Sequence, residues 1–253
     1  MSAPASRVRW TTERRFYFGI TLAILGGVLL GFARTFALRP WFSDFARVHG
    51  APEPFFYFHG AVYLAWFVLL AVQPLLIATG NISRHRRLGY FGAGLAALMF
   101  VLGTAGSLIA AQRPTGFIDT PLPPLQFLAV PLTMMAQFGV FVSLAIAGRA
   151  RAQSHKRYML LASISLLDAA VARWPIAIMT SAFPVPGFGM TDFFVDLYLA
   201  AMVVWDLASR GRMHPVTLWG GLVVVAMQPL RLMLGATQPW QDFAGWAVAL
   251  LGT

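Results

Sequence analysis

Ionisable residues are scarce in the apolar stretches of this sequence, so the few that occur there mark where chemistry could be done. Asp168 and Arg173 share one apolar run, Asp192 and Asp196 open another, Arg231 lies late in a third, and His59 begins a fourth. A charge at the centre of a lipid-embedded helix costs about 2.5–3.5 kcal/mol, and each Leu or Ile returns only roughly 0.3–0.6 kcal/mol. Such groups are therefore expected to find one another. Counting depth at about 1.5 Å per residue from each helix's point of entry puts Arg173, Asp196, Arg231 and His59 at one level. This predicts a buried polar cluster in which Arg173 pairs with Asp196, Arg231 and His59 lie close by, and Asp168 sits about 7 Å deeper. Its chemistry would be recognition of a small anion or a quinone-like headgroup, or passage of protons. Charges of this kind also lock helices together without binding anything.

The histidines are the other candidate ligands. There are five, and no two stand four residues apart on one run, so the sequence holds no local metal motif. His49 and His59 belong to one side of the chain's topology; His85, His155 and His214 belong to the other, at the ends of apolar runs. His85 and His155 are the candidate haem or metal ligands. Both stand among arginines, in segments equally suited to contact lipid phosphates. With no cysteine in the chain, disulfides, thiolate metal sites and Cys nucleophiles are excluded. There is no glycine-rich phosphate loop, nucleophile elbow or metalloprotease helix.

The elements that must carry these residues are apolar helices. Of 253 residues, 58% are apolar and 11% charged, against roughly 25% charged in an average soluble chain. A backbone in lipid must satisfy its own hydrogen bonds, and a crossing helix needs about 20 apolar residues. Seven runs qualify, at 16–36, 58–79, 88–111, 125–147, 158–179, 192–208 and 215–234. The expected fold class is thus all-α, a polytopic transmembrane bundle in a single membrane domain. The stretch 240–251 is too short to cross and reads as an interfacial helix or a cap on the bundle. The run from Phe16 to Ala33 exceeds the apolar part of a usual signal peptide and reads as a retained anchor.

Charge patterning supplies an orientation. The net charge is +10, and the basic residues are shared among short connectors instead of forming the stripe that nucleic acid would need. Arg7, Arg9, Arg14 and Arg15 precede the first run. Arg84, Arg86 and Arg87 fall in the second connector, Arg149, Arg151, Lys156 and Arg157 in the fourth, and Arg210 and Arg212 in the sixth. Short basic connectors stay in the cytoplasm, which places the N-terminus inside; one Lys against 18 Arg, with abundant Ala and Gly, points to a high-GC bacterial coding bias and so to an inner (plasma) membrane, with the lipid bilayer as first partner. Trp41, Tyr90, Trp174, Trp219 and Trp240 fit interfacial belts. Gly27 and Gly31 offer a small face for close helix approach. Pro74, Pro131, Pro175 and Pro229 predict kinks.

Against these residues, the middle of the chain resembles a group of uncharacterised bacterial membrane proteins. The shared pattern is a His-Gly early in one span, a Gln near its end, then His-Arg-x-Leu-Gly, and later His-x-x-x-Met. Here it reads His59-Gly60, Gln73, His85-Arg86-Arg87-Leu88-Gly89 and His155-Lys156-Arg157-Tyr158-Met159, covering the second to fifth runs. The resemblance implies a helical membrane protein and no particular activity. Histidines at span ends are also similar to those of di-haem cytochrome b reductases, although paired His at matching depth are missing. A short echo joins His59 with Gln73-Pro74-Leu75 and His214 with Gln228-Pro229-Leu230, a spacing shared by two oppositely directed runs, as in the inverted repeats of secondary transporters.

Three functions remain open: binding or transport of a small molecule at the polar cluster, a membrane redox role with His-ligated haem or metal, and help in assembling another membrane protein.

Overall fold

The computed structural model describes residues 10–41, 53–113, 116–117, 120–175 and 187–250. Those residues form helices, with no strand among them. Helix α1 spans Thr12–Phe32 and continues through a π-helical turn, Ala33–Ala37. Then follow α2 (Pro54–Ala78), α3 (Ile82–Gln112), a single turn α4 (Pro124–Phe127), α5 (Ala129–Ala147), α6 (Ala152–Ile164), a turn α7 (Asp168–Val171), α8 (Met190–Arg210), α9 (Pro215–Gly235) and α10 (Gln238–Ala249).

Among the described residues, five helical segments are long and apolar enough to cross a membrane: Thr12–Phe36, Pro54–Ala78, Ile82–Gln112, Pro124–Ala147 and Pro215–Gly235. The outward faces carry large apolar side chains, with Val101 61%, Val204 63% and Met233 65% exposed. Water would penalise such a surface, and hydrocarbon would not. The chain is therefore a helical bundle built for a membrane.

Helix ends follow local chemistry. The Thr11 side chain accepts from the Arg14 amide at 3.3 Å to cap α1, and Pro54 and Pro215 stand where a missing N–H costs nothing. Gly211 (φ 67°) ends α8 in the left-handed conformation that favours glycine. The basic residues Arg84, Arg86 and Arg87 lie inside α3, which starts six residues before the expected boundary. The stretch expected as an interfacial helix or cap is α10, which lies on the bundle. Gln112 Nε2 donates to the Val248 carbonyl at 2.8 Å, and Trp240 Nε1 donates to the Leu125 carbonyl at 2.8 Å.

The fifth run departs from its expected form. In place of one helix over 158–179 the chain forms α6, a tight turn at 165–167, and α7; residues 176–179 lie outside the described residues. Two serines on this stretch bond back into their own helix, Ser163 Oγ to the Met159 carbonyl at 3.0 Å and Ser165 Oγ to the Ala162 carbonyl at 2.9 Å. Across the turn, Leu166 and Leu167 donate three residues back, to Ser163 and Ile164. Serine back-bonding bends helices, and a short 3₁₀-type stretch results.

This broken segment is the centre of the bundle. Leu161, Ile164, Leu167 and Val171 are fully buried, and α6 and α7 are surrounded by α1, α5, α8 and α9. The approach of α1 depends on glycine: a Cβ on Gly31 would collide with the Ala170 backbone, and one on Gly27 would press on Tyr198 and Trp174. The small face expected at Gly27 and Gly31 is thus the contact between α1 and the central segment.

Candidate functional site

Two buried charge clusters tie the central segment to α8 and α9. The first sits toward the Asp192 end of α8. Arg231, on α9, donates through Nη1 to Asp168 Oδ2 at the start of α7, and through Nη2 to Asp192 Oδ1 on α8 at 2.8 Å. Asp192 Oδ2 also accepts from the Gly189 amide at 2.7 Å, capping α8. One turn along α8, Asp196 Oδ1 accepts from Gln228 Nε2 at 2.9 Å, and Gln228 stands three residues before Arg231 on α9. Arg231, Asp168, Asp192 and Gln228 are all buried, while Asp196 is half-buried. Two polar atoms here are buried without a hydrogen-bond partner, Arg231 Nε and Gln228 Oε1. An orphaned buried donor or acceptor costs about 1–3 kcal/mol, so such atoms point to something the site is built to receive.

Asp196 and Arg231 therefore come together as expected, but with different partners, and Asp168, expected about 7 Å deeper, joins Arg231 directly. Arg173 is not the partner of Asp196. It donates through Nη1 to the Ala169 carbonyl, and its guanidinium lies 5.3 Å from the Phe32 ring of α1. Arg231 holds the two more fully buried carboxylates instead, leaving Asp196 to a neutral amide. His59 is placed elsewhere, in the seam of α2 and α3. Its ring stacks on Tyr63 at 4.1 Å between centroids, and Tyr63 Oη donates to the Met99 carbonyl at 3.0 Å.

The second cluster was missed at the level of sequence. Arg157, expected in a basic loop against lipid phosphates, is 1% exposed, and Asp206 is 0% exposed. Arg157 Nε donates to Asp206 Oδ1 at 3.2 Å and Oδ2 at 3.3 Å, Nη2 donates to Oδ1, and Nη1 reaches the Gln153 carbonyl at 2.8 Å and Oε1 at 2.7 Å. Asp206 Oδ2 further accepts from the His214 amide at 3.0 Å and Thr217 Oγ1 at 2.6 Å. Gln153 Nε2 and Lys156 Nζ both donate to Glu13 Oε1, the former at 2.9 Å, which carries the network to α1. No side-chain polar atom of Arg157, Asp206 or Thr217 is left buried without a partner. A saturated network of this kind rigidifies a bundle and offers a ligand nothing. The signal available in the sequence was Asp206 itself, a carboxylate late in an apolar run beside a surplus of nearby arginines.

The histidine candidates take structural roles among their neighbours. With its amide turned to accept from the Gly89 N–H, Gln73 donates to His85 Nδ1 at 2.6 Å, joining the end of α2 to the start of α3. His155 Nδ1 lies 2.9 Å from the Ala145 carbonyl oxygen, a contact that needs the proton on Nδ1. His214 accepts from the Val216 amide at 3.1 Å and caps α9. His49 lies outside the described residues. Among the described residues no group of three or more His, Cys, Asp or Glu is disposed to hold a metal ion.

Between α8 and α9 runs an open apolar groove of about 350 Å³ that starts at Asp196 and ends at Met213 and Thr217, and a second, of about 650 Å³, lies between α1 and α8. Comparison with protein-family models, with curated proteins and with solved structures gives no match to this chain.

Proposed function

We propose that this chain is a seven-span protein of a bacterial inner membrane, with its N-terminus in the cytoplasm, that binds or moves a small molecule at the cluster of Asp196, Gln228, Arg231, Asp168 and Asp192. Five spans are the long apolar helices; the other two are α8 and the segment that α6 and α7 begin, whose charges are met inside the bundle. The alternating connectors rich in arginine support the orientation.

The observation that carries the functional reading is the state of Asp196. Arg231 is engaged by Asp168 and Asp192, so the third carboxylate has a neutral amide for its hydrogen-bond partner, and the other end of that amide, Gln228 Oε1, is an orphaned acceptor. A carboxylate and an unfilled acceptor side by side suit a ligand that donates hydrogen bonds or carries positive charge, and the orphaned Arg231 Nε–H leaves a place for an acceptor on the same ligand.

The test is thermal melting of detergent-purified protein against a panel of small amines, anions and quinones. At least one donor ligand should raise the melting temperature of the wild type and fail to do so in D196N, with both proteins monodisperse. A panel that leaves the wild type unmoved, or a ligand that stabilises D196N equally, sinks the reading. An absorption spectrum of the same sample decides the redox alternative, since haem on His85 or His155 would give a Soret band.

A further inference from the structure

Asp196 is both a member of the polar cluster and the polar end of the groove between α8 and α9. Met213 and Thr217 close the other end, and the walls between are hydrocarbon, among them Leu199 and Val203 on α8 and Leu218, Leu222 and Val225 on α9. The groove is open along its length, and Val204 and Leu222 beside it are exposed on faces suited to lipid. A half-buried carboxylate about 9 Å along α8 from Met190, at the edge of a lipid-facing groove, would be costly to keep ionised without a counter-charge. Gln228, the partner of Asp196 though not itself on the groove wall, adds a second sign. It is 3% exposed, its Nε2 is spent on Asp196, and its Oε1 has no partner.

We infer that the groove admits an amphipathic primary ammonium compound sideways from the bilayer, its headgroup donating to Asp196 and Gln228 Oε1 and its alkyl chain lying between α8 and α9. This rests on the small-molecule reading of the cluster and names its ligand class and entry route. The ammonium supplies three N–H donors and one positive charge, which matches a carboxylate plus an orphaned acceptor; an anion matches neither. The apolar walls require a ligand with a long hydrocarbon part, because a small hydrophilic amine would leave the groove empty.

Gly221 permits a clean test. A Cβ there meets no heavy atom within 4 Å, so the side chain of Gly221→Leu starts in open space on the groove wall, and Arg231, Asp168 and Asp192 do not line that groove. The protein is reconstituted in phosphatidylcholine with nitroxide-labelled octadecylamine, and the motionally restricted fraction is compared with that of nitroxide-labelled phosphatidylcholine. The wild type should prefer the amine; the preference should fall about tenfold in D196N, the worth of a charged hydrogen bond, and should be lost in G221L, where the side chain occupies the alkyl chain's place. The trimethylammonium analogue, which lacks N–H donors, should be preferred less than the amine. Equal restriction of amine and phosphatidylcholine in the wild type overturns the inference, and so does an amine preference that survives G221L. If either occurs while a hydrophilic amine still stabilises the wild type and not D196N, the small-molecule reading stands and only the lipid-side route fails.

Discussion

Arg157 and Asp206 face each other at the base of α6 and α8 with both side chains withdrawn from the surface, although Arg157 stands among Arg149, Arg151 and Lys156 in a connector dense with positive charge. The guanidinium meets the carboxylate through Nε and Nη2, and Asp206 collects two further donors from the start of α9. Removing one member of a buried pair strands the other. D206L or R157M alone should lower stability by about 3–5 kcal/mol, and the double variant should recover most of the loss. Melting of the four proteins in one detergent checks this; a double variant as unstable as the sum of the singles would show that the two residues do not act as a pair.

The Arg231 cluster should behave differently. R231M leaves Asp168 and Asp192 buried without their counter-charge, at a similar cost of about 3–5 kcal/mol. D196N replaces a carboxylate held by one neutral amide and should cost under about 1.5 kcal/mol, the scale of an ordinary hydrogen bond. Equal losses for the two variants would contradict the division of partners described here.

Glycine substitutions in α1 should separate contact from composition. G31A must push α1 away from the Ala170 backbone and should destabilise by about 1–3 kcal/mol. G26A, where an added Cβ meets no atom within 4 Å, should be neutral or stabilise by up to about 1 kcal/mol through helix propensity. Indistinguishable melting temperatures for the pair would mean that α1 does not approach the central segment at Gly31.

His214 lies between α8 and α9. Burial, together with the positive charges of Arg157 and Arg210, holds its imidazole below the usual histidine value. Its Nδ1 must also stay unprotonated to accept from the Val216 amide. The folded state thus binds a proton less readily than the unfolded chain, so stability is retained above the ordinary histidine value near 6.5 and declines as pH falls below it. H214N keeps an N-cap acceptor without the titration and should flatten that acid limb. Melting profiles from pH 8 to 5 that are superimposable for wild type and H214N would refute the assignment.

The absence of cysteine makes orientation directly testable. A single Cys at Arg212 should react with a membrane-impermeant maleimide only after the cells are opened, and one at Gln238 should react in intact cells. The reverse pattern would invert the proposed topology.

Much of this was legible in the sequence because lipid imposes a simple rule on helix length. Apolar runs located α1, α2, α5 and α9 to within about a turn, and α3 to within six residues. They could not reveal the break at 165–167, since Ser163 and Ser165 change where backbone hydrogen bonds go while barely changing hydropathy. Depth along a helix was also readable, and it brought Asp196 and Arg231 to one level with Asp168 beneath them. Depth is one coordinate; pairing also needs the angle around each helix and the order of neighbours. Those decided that Arg231 takes Asp168 and Asp192, that Arg173 turns toward Phe32, and that His59 packs on Tyr63 between α2 and α3.

Helix α3 is the longest element, 31 residues, and at about 1.5 Å per residue it measures roughly 46 Å. A hydrocarbon layer of about 30 Å cannot cover it. At one end the overhang carries Arg84, Arg86 and Arg87, all of them outward-facing or partly so, and at the other Gln112 is fastened to α10. A rod anchored at both ends and longer than the layer it crosses acts as a fixed gauge. In a bilayer thinner than its apolar stretch it would have to lean, and α2, packed along it, would lean with it.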